Sequence, residues 1–97
     1  MLTGKQRSYL RGLANTLPAI FQVGKNGIDE NVIRQFEEAL EARELVKASV
    51  LKNSVYTARE AGEELAQAIN AEVISVMGSK FVLYKESKKN KVLELPR

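Results

Sequence analysis

Four consecutive residues, Gly24-Lys25-Asn26-Gly27, have the types and spacing to hold a phosphate. Two glycines let a backbone approach a ligand with no Cβ in the way. Lys25 adds a compact positive charge, and the segment runs into a helix whose first N–H groups have no intrahelical partner. The same residues also suit a plain strand-to-helix turn in which glycine supplies a positive φ, and local sequence leaves both readings open. Basic residues elsewhere could extend such a contact. Arg7 and Arg11 are one helical turn apart, Lys5 lies across the polar face of the same helix, and Lys80, Lys85, Lys88, Lys89 and Lys91 follow towards the C-terminus. Each is equally an ordinary solvated charge unless the fold brings it to the loop.

Other chemistry finds little to work with. The chain has no cysteine and no histidine, which removes disulfides, thiolate ligands and the usual general base. Its acidic residues fall on outward helix faces, with no carboxylate pair set in apolar surroundings to serve as acid and base. No enzyme, cofactor or metal site is therefore expected. Phe21, Phe36, Phe81 and Tyr9 are assigned to packing, whereas Tyr84, beside Lys85 on the last strand, is placed to face outward.

Charge is unevenly distributed. The net charge is only +3, but residues 1–28 carry four basic and no acidic side chains, residues 29–72 five basic and ten acidic, and residues 73–97 six basic and two acidic. Two basic ends around an acidic middle could make one face cationic. With 97 residues, 44% of them hydrophobic, one domain over 1–97 is expected, its basic segment 86–97 either a flexible tail or docked through Val92, Leu93 and Leu95. Lys5, Arg7 and Arg11 interrupt the early apolar stretches, and no run approaches the roughly 18 residues of a membrane span. A cytoplasmic monomer is expected.

The elements that must position these residues follow from periodicity. Thr3 and Gln6 form a capping-box signature for helix 1 over about 4–16, with Leu10, Leu13, Ala14 and Leu17 inward and Pro18 beyond its end. Strand 1 is expected at 19–23. Asp29 then caps helix 2, with Ile28 and Ile33 as a hydrophobic staple, Val32, Phe36, Ala39 and Leu40 inward, and Glu30, Glu37, Glu41 and Glu44 outward. Alternation marks strand 2 over 45–52. Thr57 and Glu60 cap helix 3, with Ala58, Ala61, Leu65, Ala68 and Ile69 inward. Strands over 73–77 and 81–85 flank a two-residue turn at Gly78-Ser79. The order α-β-α-β-α-β-β predicts an α/β two-layer sandwich, three helices against a mixed four-stranded sheet.

Taken together, Lys5-Gln6-Arg7, Leu10-Arg11, Pro18, Val23-Gly24-Lys25-Asn26-Gly27-Ile28, Glu44-Leu45-Val46-Lys47, Gly78 and Phe81-Val82-Leu83-Tyr84-Lys85 give a pattern covering nearly the whole chain. It resembles the CRM domain, the chloroplast RNA splicing and ribosome maturation module, in its stand-alone bacterial YhbY-like form. The resemblance implies a fold similar to the C-terminal domain of translation initiation factor 3, RNA binding through the GxxG loop, and association with precursors of the large ribosomal subunit. The implied RNA-binding residues are Gly24, Lys25, Asn26 and Gly27, with Lys5, Arg7, Arg11, Lys80 and Lys85 as neighbours. Lys85 stands where the family often has arginine, which keeps the charge and loses a bidentate fork. The competing readings are a protein-interaction adaptor using acidic helices 2 and 3, and a phosphate-handling enzyme.

Overall fold

The computed structural model describes residues 2–89 and 91–96. Its elements run α1 (Gly4–Ala14), β1 (Phe21–Val23), α2 (Glu30–Arg43), β2 (Leu45–Val50), α3 (Ala58–Ile69), β3 (Glu72–Met77) and β4 (Lys80–Tyr84). Both capping boxes form as their sequences predict. Thr3 accepts from the Gln6 N–H and Gln6 reaches back to the Thr3 N–H, and Thr57 and Glu60 do the same for α3. Asp29 Oδ1 accepts from the Val32 N–H at 2.9 Å.

The sheet order is β1-β2-β4-β3, with β1 parallel to β2 and β4 antiparallel to both of its neighbours. The mixed sheet and three helices match the expected α/β class. The helices do not form one layer, however. On one face α2 and α3 cover Val23, Val46, Ala48, Phe81 and Leu83, with the Phe36 ring 4.7 Å from Phe21 and 6.1 Å from Phe81. On the other, Leu10 and Ala14 of α1 cover Leu45, Ile74, Val82 and Tyr84. The reason lies in β4, where Phe81, Val82, Leu83 and Tyr84 are all buried, so alternate side chains need cover on opposite faces. Tyr84 is therefore inward, contrary to expectation, and burial with Glu44, Glu86 and Glu72 nearby pushes its phenol up to about 12. Tyr9 and Ala68 are exposed where packing was expected, each one position off its helix's buried stripe, and Leu13 is half-buried at the edge of the second core.

Glu44 is the largest departure. It follows the last residue of α2 as a left-handed cap (φ 65°), a conformation that swings the side chain off the outward acidic face and buries it completely. Its Oε2 accepts from the Ser87 N–H, and its Oε1 from the Val92 and Leu93 N–H groups, each at 2.7 Å. One turn earlier, Glu41 Oε1 accepts from the Ser87 hydroxyl and from the Lys88 and Lys89 N–H groups. Leu93 and Leu95 pack against the α1 core, while Val92 is exposed. Asn90 and Arg97 of this basic segment lie outside the described residues.

The Lys89 N–H above all, then the Ser87 hydroxyl, holds the Glu41 carboxyl below its ordinary 4.5. A depressed folded-state pKa gives stability that is present above 4.5 and lost as pH falls through the folded value. Glu41→Gln should therefore lower the melting temperature most at neutral pH, and the difference from wild type should shrink as pH falls below 4.5, leaving the variant with the shallower acid limb. Melting curves of both proteins across that window check this, and parallel acid limbs would remove Glu41 from the pH response.

Candidate functional site

The register places three connections at one end of the sheet. Val23 pairs with Val50, Ser49 with Lys80, and Met77 with Lys80, so β1, β2 and β3 all end where β4 begins. The β1–α2 connection carries Gly24 to Gly27, closed by the Gly27 N–H donating to the Gly24 carbonyl at 3.0 Å. Lys25 and Asn26 are exposed at its tip. Next to it, the β2–α3 connection contains a turn over Leu51 to Ser54 that exposes Lys52 and Asn53. Beyond that is the Gly78-Ser79 hairpin, whose Ser79 carbonyl accepts from the Val50 N–H at 2.7 Å and whose next residue is the exposed Lys80.

The two glycines of the first turn have different reasons for being glycine. Gly27 has φ 71°, and a Cβ there would lie 3.1 Å from Cε2 of Tyr56, so both backbone and packing require it. The Tyr56 hydroxyl donates to the Glu64 carboxylate at 3.0 Å, which raises the phenol pKa and braces the ring against the turn. Gly24 has a negative φ, and a Cβ on it would make only an ordinary 3.5 Å contact with Leu51 Cδ1. Folding does not explain it.

The start of α2 is less open to an anion than its sequence suggests. Asp29 already accepts from the Val32 N–H and Glu30 occupies the first turn, so negative side chains answer the helix dipole there. A phosphate at this end would therefore meet the turn backbone and Lys25 more than the helix terminus. Among the described residues, the ion pairs are Arg7–Glu72, Arg59–Glu63 and Lys91–Glu86, so Lys25, Lys52 and Lys80 have no carboxylate partner.

The other basic residues do not gather here. Arg7 donates through Nη1 to the Val73 carbonyl at 3.0 Å and through Nη2 to Glu72 at 2.8 Å, bracing β3 where its register shifts between Val73 and Ser75. Lys5 precedes it on the exposed face of α1, and Lys85 follows β4, five residues from Lys80 and so roughly 17 Å along the strand direction. The Lys85 N–H donates to the Glu44 carbonyl, at the end of α2 remote from the turn. Arg11 is exposed and one helical turn from Asn15, which lines a cleft of about 360 Å³ beside the hairpin with Lys47, Met77 and Lys80. The predicted residues thus form two groups, Gly24 to Gly27 with Lys80 at one end, and Lys5, Arg7 and Lys85 at the other, with Arg11 between them on α1. Lys52 and Asn53 join the first group without having been singled out in the sequence, although Val50-Leu51-Lys52-Asn53-Ser54 repeats the form of Val23-Gly24-Lys25-Asn26-Gly27.

Among the described residues no helix is long and apolar enough to cross a membrane, and no group of three or more His, Cys, Asp or Glu could hold a metal ion.

Comparison with known proteins connects this geometry to a family. Residues 2–85 match the CRS1 / YhbY (CRM) domain. The chain is 50% identical over 96 residues to the Probable RNA-binding protein YqeI of Bacillus subtilis, covering 99% of this chain and 100% of that protein. It is 32% identical over 96 residues to an RNA-binding protein of Haemophilus influenzae, covering 99% of this chain and 96% of the relative. The solution structure of the hypothetical protein SAV1595 from Staphylococcus aureus superposes with a TM-score of 0.72 at 48% identity, covering 99% of this chain and 100% of that one. With the family match spanning most of the sequence and curated relatives aligned almost end to end, the chain belongs to the CRS1 / YhbY (CRM) domain family.

Proposed function

We propose that this protein binds RNA through the phosphate backbone at the Gly24 to Gly27 turn, and that it acts as an assembly factor on ribosomal RNA in precursors of the large subunit. The observation that carries the reading is Gly24, a glycine that neither φ nor packing requires, beside an exposed Lys25 that makes no ion pair among the described residues. Close approach of a ligand to the backbone is a sufficient reason for it. The names of the relatives support RNA as that ligand, and the family resemblance supplies the ribosomal context. Contacts of this kind recognise the shape of folded RNA more than its sequence. Binding itself is the activity, carried out by a monomer in the cytoplasm with no cofactor and no catalytic step.

Two alanine variants test the assignment. Gly24→Ala should weaken binding to labelled fragments tiling large-subunit ribosomal RNA while shifting stability by about 0.5 kcal/mol or less, as surface changes usually do. Gly27→Ala should instead destabilise the fold by about 1–2 kcal/mol, because alanine is strained in the left-handed region and would meet Tyr56. Anisotropy titrations and denaturant unfolding measure both. A Gly24→Ala protein with undiminished affinity would return the turn to a purely structural role. If the wild-type protein binds none of the fragments, the ribosomal reading fails, and the acidic faces of α2 and α3 become the surfaces to test for a protein partner.

A further inference from the structure

The second turn does more than lie near the first; it repeats it. β1 and β2 are parallel neighbours in register at Val23 and Val50, and each is followed by a turn closed from its fourth residue to its first. In one, the Gly27 N–H donates to Gly24; in the other, the Ser54 N–H donates to Leu51, both at 3.0 Å. The two central positions are lysine then asparagine in each, and all four side chains are exposed. The turns are seated on one another, with the Leu51 N–H donating to the Val23 carbonyl at 2.9 Å and Leu51 Cδ1 3.5 Å from where a Gly24 Cβ would lie. Neighbouring strands are about 4.8 Å apart, so the two Lys-Asn tips form an adjacent pair.

Lysine and asparagine are common in turns, and a lone repeat of that composition would be ordinary surface. Here the surrounding charges make a difference. Of the acidic side chains near these connections, Asp29 is engaged with the Val32 N–H, Glu60 with the Thr57 N–H and Glu64 with the Tyr56 hydroxyl, and Glu30 is exposed in the first turn of α2. Lys25 and Lys52 make no ion pair among the described residues, nor does Lys80 on the far side of β2. Three unpaired lysines thus follow the strand order β1, β2, β4 across the sheet end, over two strand spacings or about 10 Å.

We infer that Leu51 to Ser54 is a second phosphate-binding turn, and that one RNA strand crosses the sheet end over Lys25, Lys52 and Lys80. This rests on the RNA-binding reading above and adds to it a direction for the strand and a residue pair, Lys52 and Asn53. Each turn holds one phosphate, so binding free energy and salt dependence divide between them.

The test uses the full chain and the ribosomal RNA fragment that the wild type binds most tightly. Lys52→Ala with Asn53→Ala should lower affinity by about tenfold near 0.1 M salt and flatten the log-log salt slope by about 0.7 to 0.9, the signature of one lost phosphate contact. Lys88→Ala with Lys89→Ala, at the α2 C-terminal end, removes two charges remote from the turns and should change the slope by much less. Combining the Lys52 and Lys25 changes should flatten the slope by about 1.4 to 1.8. Thermal melts confirm that each variant is folded. If the Lys52 pair behaves like the Lys88 pair while Lys25 variants lose binding, the second turn is overturned and the first stands. If the Lys25 and Lys52 variants all bind as the wild type does, or the wild type binds no fragment, both assignments fall.

Discussion

Glu44→Ala should cost the fold about 3 kcal/mol or more, the largest stability loss expected of any single change outside the apolar cores. Three backbone N–H groups converge on this one carboxylate, and it is completely buried. Hydrogen bonds to a charged acceptor contribute about 1.5 to 3 kcal/mol each, though not additively, and truncation also leaves the donors of Ser87, Val92 and Leu93 without this partner in a poorly solvated place. The loss spreads because Leu93 and Leu95 sit against the α1 core only while the segment that carries them stays docked. Two further variants separate the causes. Glu44→Gly relieves the left-handed backbone, worth about 1 to 2 kcal/mol, yet should remain well below wild type because the acceptor is gone. Glu44→Gln keeps the shape and one acceptor oxygen, so it should fall between alanine and wild type. Denaturant unfolding measures all three, and limited proteolysis after Lys88 or Lys89 reports docking of the segment directly. An alanine variant within about 1 kcal/mol of wild type, with the segment equally protected, would mean that these hydrogen bonds only accompany a docking held by other contacts.

Glu44 also shows where sequence reading reaches its limit. The elements themselves were legible because their signals are local: a capping box at Thr3, another at Thr57, an Asp29 cap, and a glycine at the first central position of a two-residue hairpin, where φ is 60°. Glu44 continues the outward glutamate pattern of α2 by spacing, but the helix has already ended at Arg43, and the left-handed backbone of Glu44 reverses the direction of its own side chain. Periodicity cannot register that reversal. Tyr84 was misplaced for a related reason. Alternation tells which strand residues share a face, but whether the second face is also covered depends on where α1 docks, which is a tertiary fact.

The candidate site was legible in part. Gly24 to Gly27 could be picked out because glycine and lysine carry meaning at short range, yet only the φ values and the Tyr56 contact separate the structural glycine from the unexplained one. Segment charges placed the basic residues at the two ends of the chain and could not show that Lys80 and Lys85 fall at opposite ends of one strand. Lys52 and Asn53 were hidden within a stretch of net negative charge. Their signal was a comparison between two loops, which acquires meaning only once β1 and β2 are known to be parallel neighbours.

The largest effect on binding is expected from reversing charge at the first turn. Lys25→Asp with Asn26→Asp replaces one positive and one neutral side chain by two negative ones at exposed positions that make no ion pair among the described residues. At about 4 Å a unit charge pair is worth about 1 kcal/mol in water and about 4 kcal/mol at the effective dielectric of a protein surface, so attraction to a phosphate becomes repulsion of similar size. Each 1.4 kcal/mol is tenfold in affinity, which places the expected loss at roughly a hundredfold or more. The salt slope should flatten by about 0.7 to 0.9 as the Lys25 contact disappears. Folding should hold to within about 0.5 kcal/mol, because aspartate is itself a turn former and neither side chain reaches a core. Lys85→Asp, at the opposite end of β4, supplies the comparison: it lowers the net charge by two against three for the turn pair, and it lies roughly 17 Å along the strand from Lys80 at the turn end, beyond one Debye length at physiological salt. Affinity across a salt series, with thermal melts as the folding control, distinguishes the outcomes. A hundredfold loss at the turn against a small one at Lys85 places the RNA on the sheet end that carries the three turns. Equal losses would extend the footprint to both ends, and an unchanged affinity in a folded turn variant would move the RNA away from Gly24 to Gly27 altogether.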